Sequence, residues 1–394
     1  MHRLGLVGRG LGLDGPGLEA LELETVEMET PGLETGAMPS RATTGAAVEP
    51  AGYLVAMDGG VRIHFLDWGG PAKADGAVPA HVGPEVAEVG LEAPGVLLIH
   101  GLARTAWSWA PVARRLRADF RVAAMDVRGH GLSDAPTDGY DPDQLTEDAI
   151  AVAEGAGLLA VGREPGEHGA PVPRPFVVAG HGYGAVVAAW VANALADRCA
   201  GLVLVDGGWT DLSDETEMTT DEWLAAIAEP PEVLASMAAW LADRQAFDPA
   251  TWDSDQEHAA RAEVVETAAG RVKLSIHRHA LAASVGALWT YVPTDVLPAV
   301  EAEIVALVAR DDDAGRHLAA LGEVAAARAD AARPPIRAAG FPGLGHDLPR
   351  HVPDLVAAAI RAAARPRTGG GGPVPGAGRP GSESGGGAAA RASG

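Results

Sequence analysis

Two short clusters near the C-terminal end carry the residue types of proton-transfer chemistry: Gly343-Leu344-Gly345-His346-Asp347 and, before it, Asp311-Asp312-Asp313. A histidine on a loop can serve as general base when a carboxylate orients its ring and stabilises the protonated form. Register with the preceding strand favours Asp312 among the three acids, although adjacent aspartates more often mark a solvated loop. A third cluster, Gly180-His181-Gly182-Tyr183-Gly184, lies between an apolar strand pattern, PFVVA, and a helical one, AVVAAWVANALA. This strand–turn–helix context is what a nucleophile elbow requires, and its middle residue points into a pocket. Here that residue is Gly182, which has no side chain.

Two further clusters frame these. Ile99-His100-Gly101-Leu102 ends a buried strand pattern and can turn a backbone N–H toward a developing oxyanion. Asp126-Val127-Arg128-Gly129-His130-Gly131-Leu132-Ser133-Asp134 follows the next strand, where its Asp and Arg can satisfy backbone groups. It reads as a structural loop with diagnostic value.

The elements that must position these clusters follow from the hydrophobic pattern. Strands are expected at 52–57, 61–68, 95–101, 120–126, 175–180, 201–206, 303–309 and 336–341. The first two alternate and flank Asp58-Gly59-Gly60, a hairpin signal. The later runs are almost continuously apolar, as strands covered on both faces are. Helical patterns fall at 105–117, 184–197, 314–331 and 352–364. Strand–helix alternation of this kind predicts an α/β fold with a doubly wound, mostly parallel eight-stranded sheet. Residues 208–292 break the alternation: they show helical stretches, no convincing strand, and five of the nine tryptophans. They are expected to form a helical lid between the sixth and seventh strands, at the sheet edge where ligands bind in open α/β sheets.

The resulting division is a disordered extension at 1–48, a core at 49–207, the lid at 208–292, a second part of the core at 293–365 and a disordered Gly/Pro/Ser tail at 366–394. Surface loops are expected at 70–94 and 162–175, and Met38 is an alternative start to Met1.

In this order the five clusters resemble the α/β-hydrolase fold family over roughly residues 50–365, in particular its lidded esterases, epoxide hydrolases and haloalkane dehalogenases. The resemblance implies that His346 and Asp312 are the catalytic histidine and acid. It also implies that Leu102 and Tyr183 supply the oxyanion-hole N–H groups, and that Gly182 holds the nucleophile position. Where the family has Ser, Asp or Cys, this chain has Gly182, so no acyl- or alkyl-enzyme can form through that turn. Two functions stay open: residual general-base chemistry by His346 on a small apolar molecule, or ligand binding without turnover. His181, Trp107 and Trp209 are candidates for substrate contact. Ser108 is a poor substitute nucleophile, because it falls in a helical pattern between Trp107 and Trp109.

A different class of function shares the same glycines. Gly180-x-Gly182-x-x-Ala185 also fits the dinucleotide-binding fingerprint, with Asp206 near the place of a ribose-binding acid. Against it, four strands precede the motif, whereas the fingerprint usually opens its domain.

Composition bounds the partners. Thirty basic against 53 acidic residues give a net charge of −23, which disfavours nucleic acid and anionic membrane. No apolar run approaches the ~20 residues of a membrane helix, and no leader is evident, so a cytoplasmic location is the expectation. Cys199 is the only cysteine and reads as a small buried residue. The 13 histidines are scattered and show no metal-ligand spacing, so neither a metal nor a cofactor is expected; the partner is a small molecule.

Overall fold

A computed structural model describes residues 18–20, 49–71, 93–159, 174–212, 218–310 and 314–365. In chain order the first part contains β1 (Leu18–Ala20), β2 (Ala51–Ala56), β3 (Arg62–Gly69), β4 (Gly95–Ile99), α1 (Ala110–Leu116) and β5 (Arg121–Met125). It continues through α2 (Pro142–Gly155), β6 (Phe176–His181), α3 (Tyr183–Leu195) and β7 (Gly201–Val205). An insert follows, with α4 (Thr220–Ala226), α5 (Met237–Phe247), α6 (Ser254–Ala262), β8 (Val264–Glu266), β9 (Val272–Leu274), α7 (Arg278–Trp289) and α8 (Pro293–Val296). The chain returns as β10 (Glu303–Arg310), α9 (Ala314–Asp330), β11 (Ile336–Pro342), α10 (Leu348–His351) and α11 (Pro353–Ala363).

The main sheet has the order β1-β11-β10-β7-β6-β4-β5-β3-β2. Only the β2–β3 and β3–β5 pairings are antiparallel. All eight expected strands form. The ninth, β1, lies in the segment expected to be disordered and pairs with β11 at the sheet's edge. An edge strand presents unpaired backbone N–H and C=O groups, which a short segment can satisfy without a recognisable sequence pattern. The rest of 1–48, the tail from 366, most of the two long loops, Met38 and Asp311–Asp313 lie outside the described residues.

Alternation along the strands supplies two cores. Val178, Leu202 and Ile304 face one layer with α2, α3 and α9. Their neighbours Val177, Val203 and Val305 face the other, with α1 and α11. This is the period-2 reversal of side chains along a strand, used here on both faces.

Helix α2 escaped the hydrophobic pattern. It is well encoded at its start, where Pro142 follows Asp141 and the Asp141 side chain accepts the Gln144 N–H. Its inner face is Leu145, Ala149, Val152 and Ala153, but Asp148 on the same face is also buried. Asp148 accepts two hydrogen bonds from Arg128, at 2.6 and 2.7 Å. A paired charge on a core-facing position thus interrupts the apolar signal. The hairpin β8–β9 was missed for another reason: three-residue strands are too short to show alternation. It corrects the expectation that 208–292 holds no strand. Among the described residues no helix is long and apolar enough to cross a membrane.

Candidate active site

The loop Asp126–Asp134 fixes the strand ends around the site. Asp126 accepts from the N–H groups of Ala106 (2.7 Å) and Leu132 (3.0 Å) and from His64 Nδ1 (2.8 Å). The His100 ring lies between this loop and the turn after β4. Its Nε2 accepts the Val127 N–H at 3.0 Å, and its Nδ1 donates to the Gly101 carbonyl at 2.7 Å. One nitrogen accepting and the other donating is the neutral imidazole, and burial holds the His100 pKa below its ordinary value. The Arg104 N–H closes the turn on the Gly101 carbonyl, which places Leu102 at its tip.

The chain passes from β6 to α3 through one residue, Gly182, at φ +52° and ψ −115°. That left-handed backbone is costly for a residue with a side chain. A Cβ on Gly184 would stand 2.2 Å from the Ile99 carbonyl oxygen. This glycine is therefore required by the close packing of the turn against β4, whatever the turn binds.

His346 follows β11 on a loop that brings it over Gly182. Its Nδ1 donates to Asp206 Oδ2 at 2.7 Å, while Asp206 Oδ1 accepts the Ala309 N–H at 2.8 Å. Asp206 is the first residue after β7 and sits at φ +46°, a region that Asp tolerates better than most residues. The other ring nitrogen, Nε2, lies 3.0 Å from the point where a Cβ of residue 182 would stand. The His181 ring packs against that of His346 at 4.4 Å between centroids, and its Nε2 donates to the His346 carbonyl at 2.9 Å. Burial and the neighbouring His346 lower the His181 pKa to about 4.

A cavity of about 230 Å³ opens above this turn. Gly101, Leu102, Gly182, Tyr183 and His346 form its floor. Leu212, Trp223, Leu288 and Tyr291 of the insert line it as well. Sites for drug-sized ligands occupy roughly 300–1,000 Å³, so a smaller molecule fits here. Tyr183 is the first residue of α3, where backbone N–H groups lack partners within the helix.

The structure thus gathers His346, Gly182, Leu102, Tyr183 and His181 at one cavity. It does not bring Trp107 or Trp209 there. Trp107 packs between Trp68 and His258. Trp209 is buried and donates from Nε1 to His317 Nδ1 at 3.3 Å. Both expectations rested on nearness in sequence to the site, which does not decide the side a ring faces. Trp223 of α4 and the buried Tyr291, whose hydroxyl donates to the Gly208 carbonyl at 2.7 Å, take that place. Asp312 lies outside the described residues; the carboxylate on His346 is Asp206. The only sequence signal for that role was an acid ending an apolar strand before Gly207-Gly208. The same carboxylate, offered to a ribose by the dinucleotide fingerprint, is held by His346 and Ala309.

Buried neutral histidines make stability depend on pH. Burial lowers the His130 pKa to about 3, as it lowers that of His181 to about 4. Between these values and the ordinary ~6.5, the unfolded chain binds protons that the folded chain does not. The stability is complete above pH ~6.5 and is lost as pH falls toward 4, by about 3 kcal/mol for His181 alone. Urea unfolding midpoints are expected to drop between pH 7 and 4.5, and the drop to shrink in His181→Gln. A midpoint independent of pH would contradict neutral burial of these rings.

Residues 96–359, about two thirds of the chain, match the family model described as the alpha/beta hydrolase family. Among curated relatives, mouse epoxide hydrolase 4 is 24% identical over 156 residues, 39% of this chain and 34% of that protein. The bifunctional esterase/perhydrolase DCH of Acinetobacter calcoaceticus is 33% identical over 108 residues, 27% of this chain and 32% of that protein. The matched segments therefore span about a third of these relatives' length. Among solved structures, E-2-(acetamidomethylene)succinate hydrolase superposes with a TM-score of 0.58 at 18% identity, covering 80% of this chain and 98% of that one. A thioesterase domain from the curacin biosynthetic pathway gives 0.54 at 17% identity, covering 79% and 99%. At these identities the likeness is one of fold.

Proposed function

The chain belongs to the alpha/beta hydrolase family, and we propose that it hydrolyses a small ester without a protein nucleophile, with His346 as general base on water. One observation carries this: His346 is oriented from behind by Asp206 at 2.7 Å and presents Nε2 to the place where residue 182 would carry its side chain.

The step balances with the residues present. A water hydrogen-bonded to Nε2 on the cavity side of Gly182 attacks the ester carbonyl carbon while Nε2 takes its proton. The carbonyl π electrons move to oxygen, and the Leu102 and Tyr183 backbone N–H groups stabilise that oxyanion. Collapse of the tetrahedral adduct expels the alkoxide, which takes the proton back from Nε2. The products are an acid and an alcohol. Asp206 stabilises the transient imidazolium, as the acid of a triad does. The insert acts as a lid, with Trp223, Leu212 and Leu288 excluding bulk water.

The relatives support the reaction class, since both an epoxide hydrolase and an esterase are among them. Opening an epoxide through an alkyl-enzyme needs a nucleophilic oxygen at the turn, which Gly182 does not supply.

A second reading, binding without turnover, draws on the same geometry. Contacts to a Cβ at 182 would be 3.0 and 3.2 Å, tighter than ordinary van der Waals distance, so the His346 ring stands partly in the place of the missing side chain. Short-chain 4-nitrophenyl esters separate the two. Direct water attack gives a linear time course from the first turnover and no acyl adduct in the intact mass. A trapped adduct on the native protein would overturn the proposal. Product binding by calorimetry with no turnover would select the second reading.

A further inference from the structure

Arg104 is the one residue with a permanent positive charge among those described as lining the cavity. It would be a natural anchor for a substrate carboxylate, but its fork is taken. Nη1 donates to Glu263 at 2.7 Å, and Nη2 approaches Asp347 at 3.4 Å. Glu263 is 4% exposed, and the Asp347 side chain, next in the chain to His346, is 16% exposed. Glu263 caps the C-terminal end of α6 in the insert, and its carbonyl accepts the Ser275 N–H at 2.8 Å. The insert therefore delivers a fixed carboxylate to the only guanidinium among the described lining residues.

The charges around Arg104 sum against an anion. Glu263, Asp347 and Glu229 all act on it. Glu229 is itself paired with Arg244, and Arg350 lies near enough to Asp347 to help hold its carboxyl ionised. Asp206, a further carboxylate, stands beneath His346. The whole chain carries −23, which repels anions before they reach the cavity.

We propose that Glu263 masks Arg104 and so restricts the site to uncharged ligands, making Glu263 a specificity-determining residue supplied by the insert. Removing its charge leaves Arg104 opposed only by Asp347 and by Glu229, which is paired with Arg244, and admits substrates with a carboxylate. The kinetic part rests on the proposed ester hydrolysis; the binding part does not.

The test uses two matched pairs: 4-nitrophenyl butyrate against mono-4-nitrophenyl succinate for turnover, and butyramide against succinamate for calorimetric binding. The native protein is expected to favour the neutral member of each pair by about 10-fold or more. Glu263→Gln is expected to narrow that ratio by about 10-fold, and Arg104→Gln in the same background to restore it. Equal handling of both members by the native protein would overturn masking, even if Glu263→Gln failed to fold. So would an unchanged ratio in a folded Glu263→Gln. Absence of turnover with a neutral-over-anionic binding preference would instead count against the hydrolysis and for the masking.

Discussion

Gly182→Ser is expected to release a burst of 4-nitrophenol close in amplitude to the protein concentration, followed by a slower steady rate. Serine at 182 would carry its hydroxyl toward His346 Nε2, which already stands 3.0 Å from the Cβ position. Accommodation needs a shift of a few tenths of an ångström. The His346 side chain is 61% exposed and can give that much without repacking a core. In the proposed reading, His346, Asp206 and the N–H groups of Leu102 and Tyr183 then serve covalent catalysis, and the acyl-enzyme accumulates if deacylation is slower than its formation. The backbone sets a cost. At φ +52° and ψ −115° a side chain is strained, so the variant should lose about 1–3 kcal/mol of stability. Stopped-flow absorbance measures the burst, intact mass the adduct, and urea unfolding the cost. A folded variant with neither burst nor adduct would show that residue 182 does not face the acyl carbon.

Loss of the base or its carboxylate should give the largest fall in rate. His346→Ala is expected to lower kcat for a short-chain ester by about 10²–10⁴-fold, the range general-base catalysis supplies. Asp206→Asn should come within the same range. The amide oxygen can still accept the Ala309 N–H, but the neutral side chain no longer stabilises a charged imidazole or fixes its tautomer. Asp312→Asn is the control, with a rate near that of the native protein. If Asp312→Asn carried the loss and Asp206→Asn did not, the acid would belong to the next strand. Steady-state kinetics with circular dichroism on each variant decides between them.

The choice between those two acids shows where the sequence stops. Val205 and Arg310 end β7 and β10, which are neighbours in the sheet, and an aspartate follows each end. Asp206 therefore emerges at the sheet edge within the reach of the loop that carries His346. Strand register puts Leu307 opposite Val205, so Asp206 comes level with the last residues of β10. That Asp206 meets His346 depends on the pairing of strands about a hundred residues apart, and no local pattern contains it.

Local periodicity did determine the eight long strands, the hairpin at Asp58-Gly59-Gly60 and the ordered clusters around Gly182 and His346, because each depends on residues close in the chain. Helix α2 was obscured because its buried face carries Asp148, made tolerable only by Arg128 from a loop after β5. The tryptophans divide in the same way. Sequence placed Trp209 and Trp223 in the insert, but its packing on the sheet buries Trp209 against His317 and turns Trp223 to the cavity. Residue types and turns were thus set by the chain itself. Which carboxylate faces His346, which indole lines the cavity and which glutamate meets Arg104 were set by contacts across the fold, where burial and hydrogen bonding select among candidates that look alike in sequence.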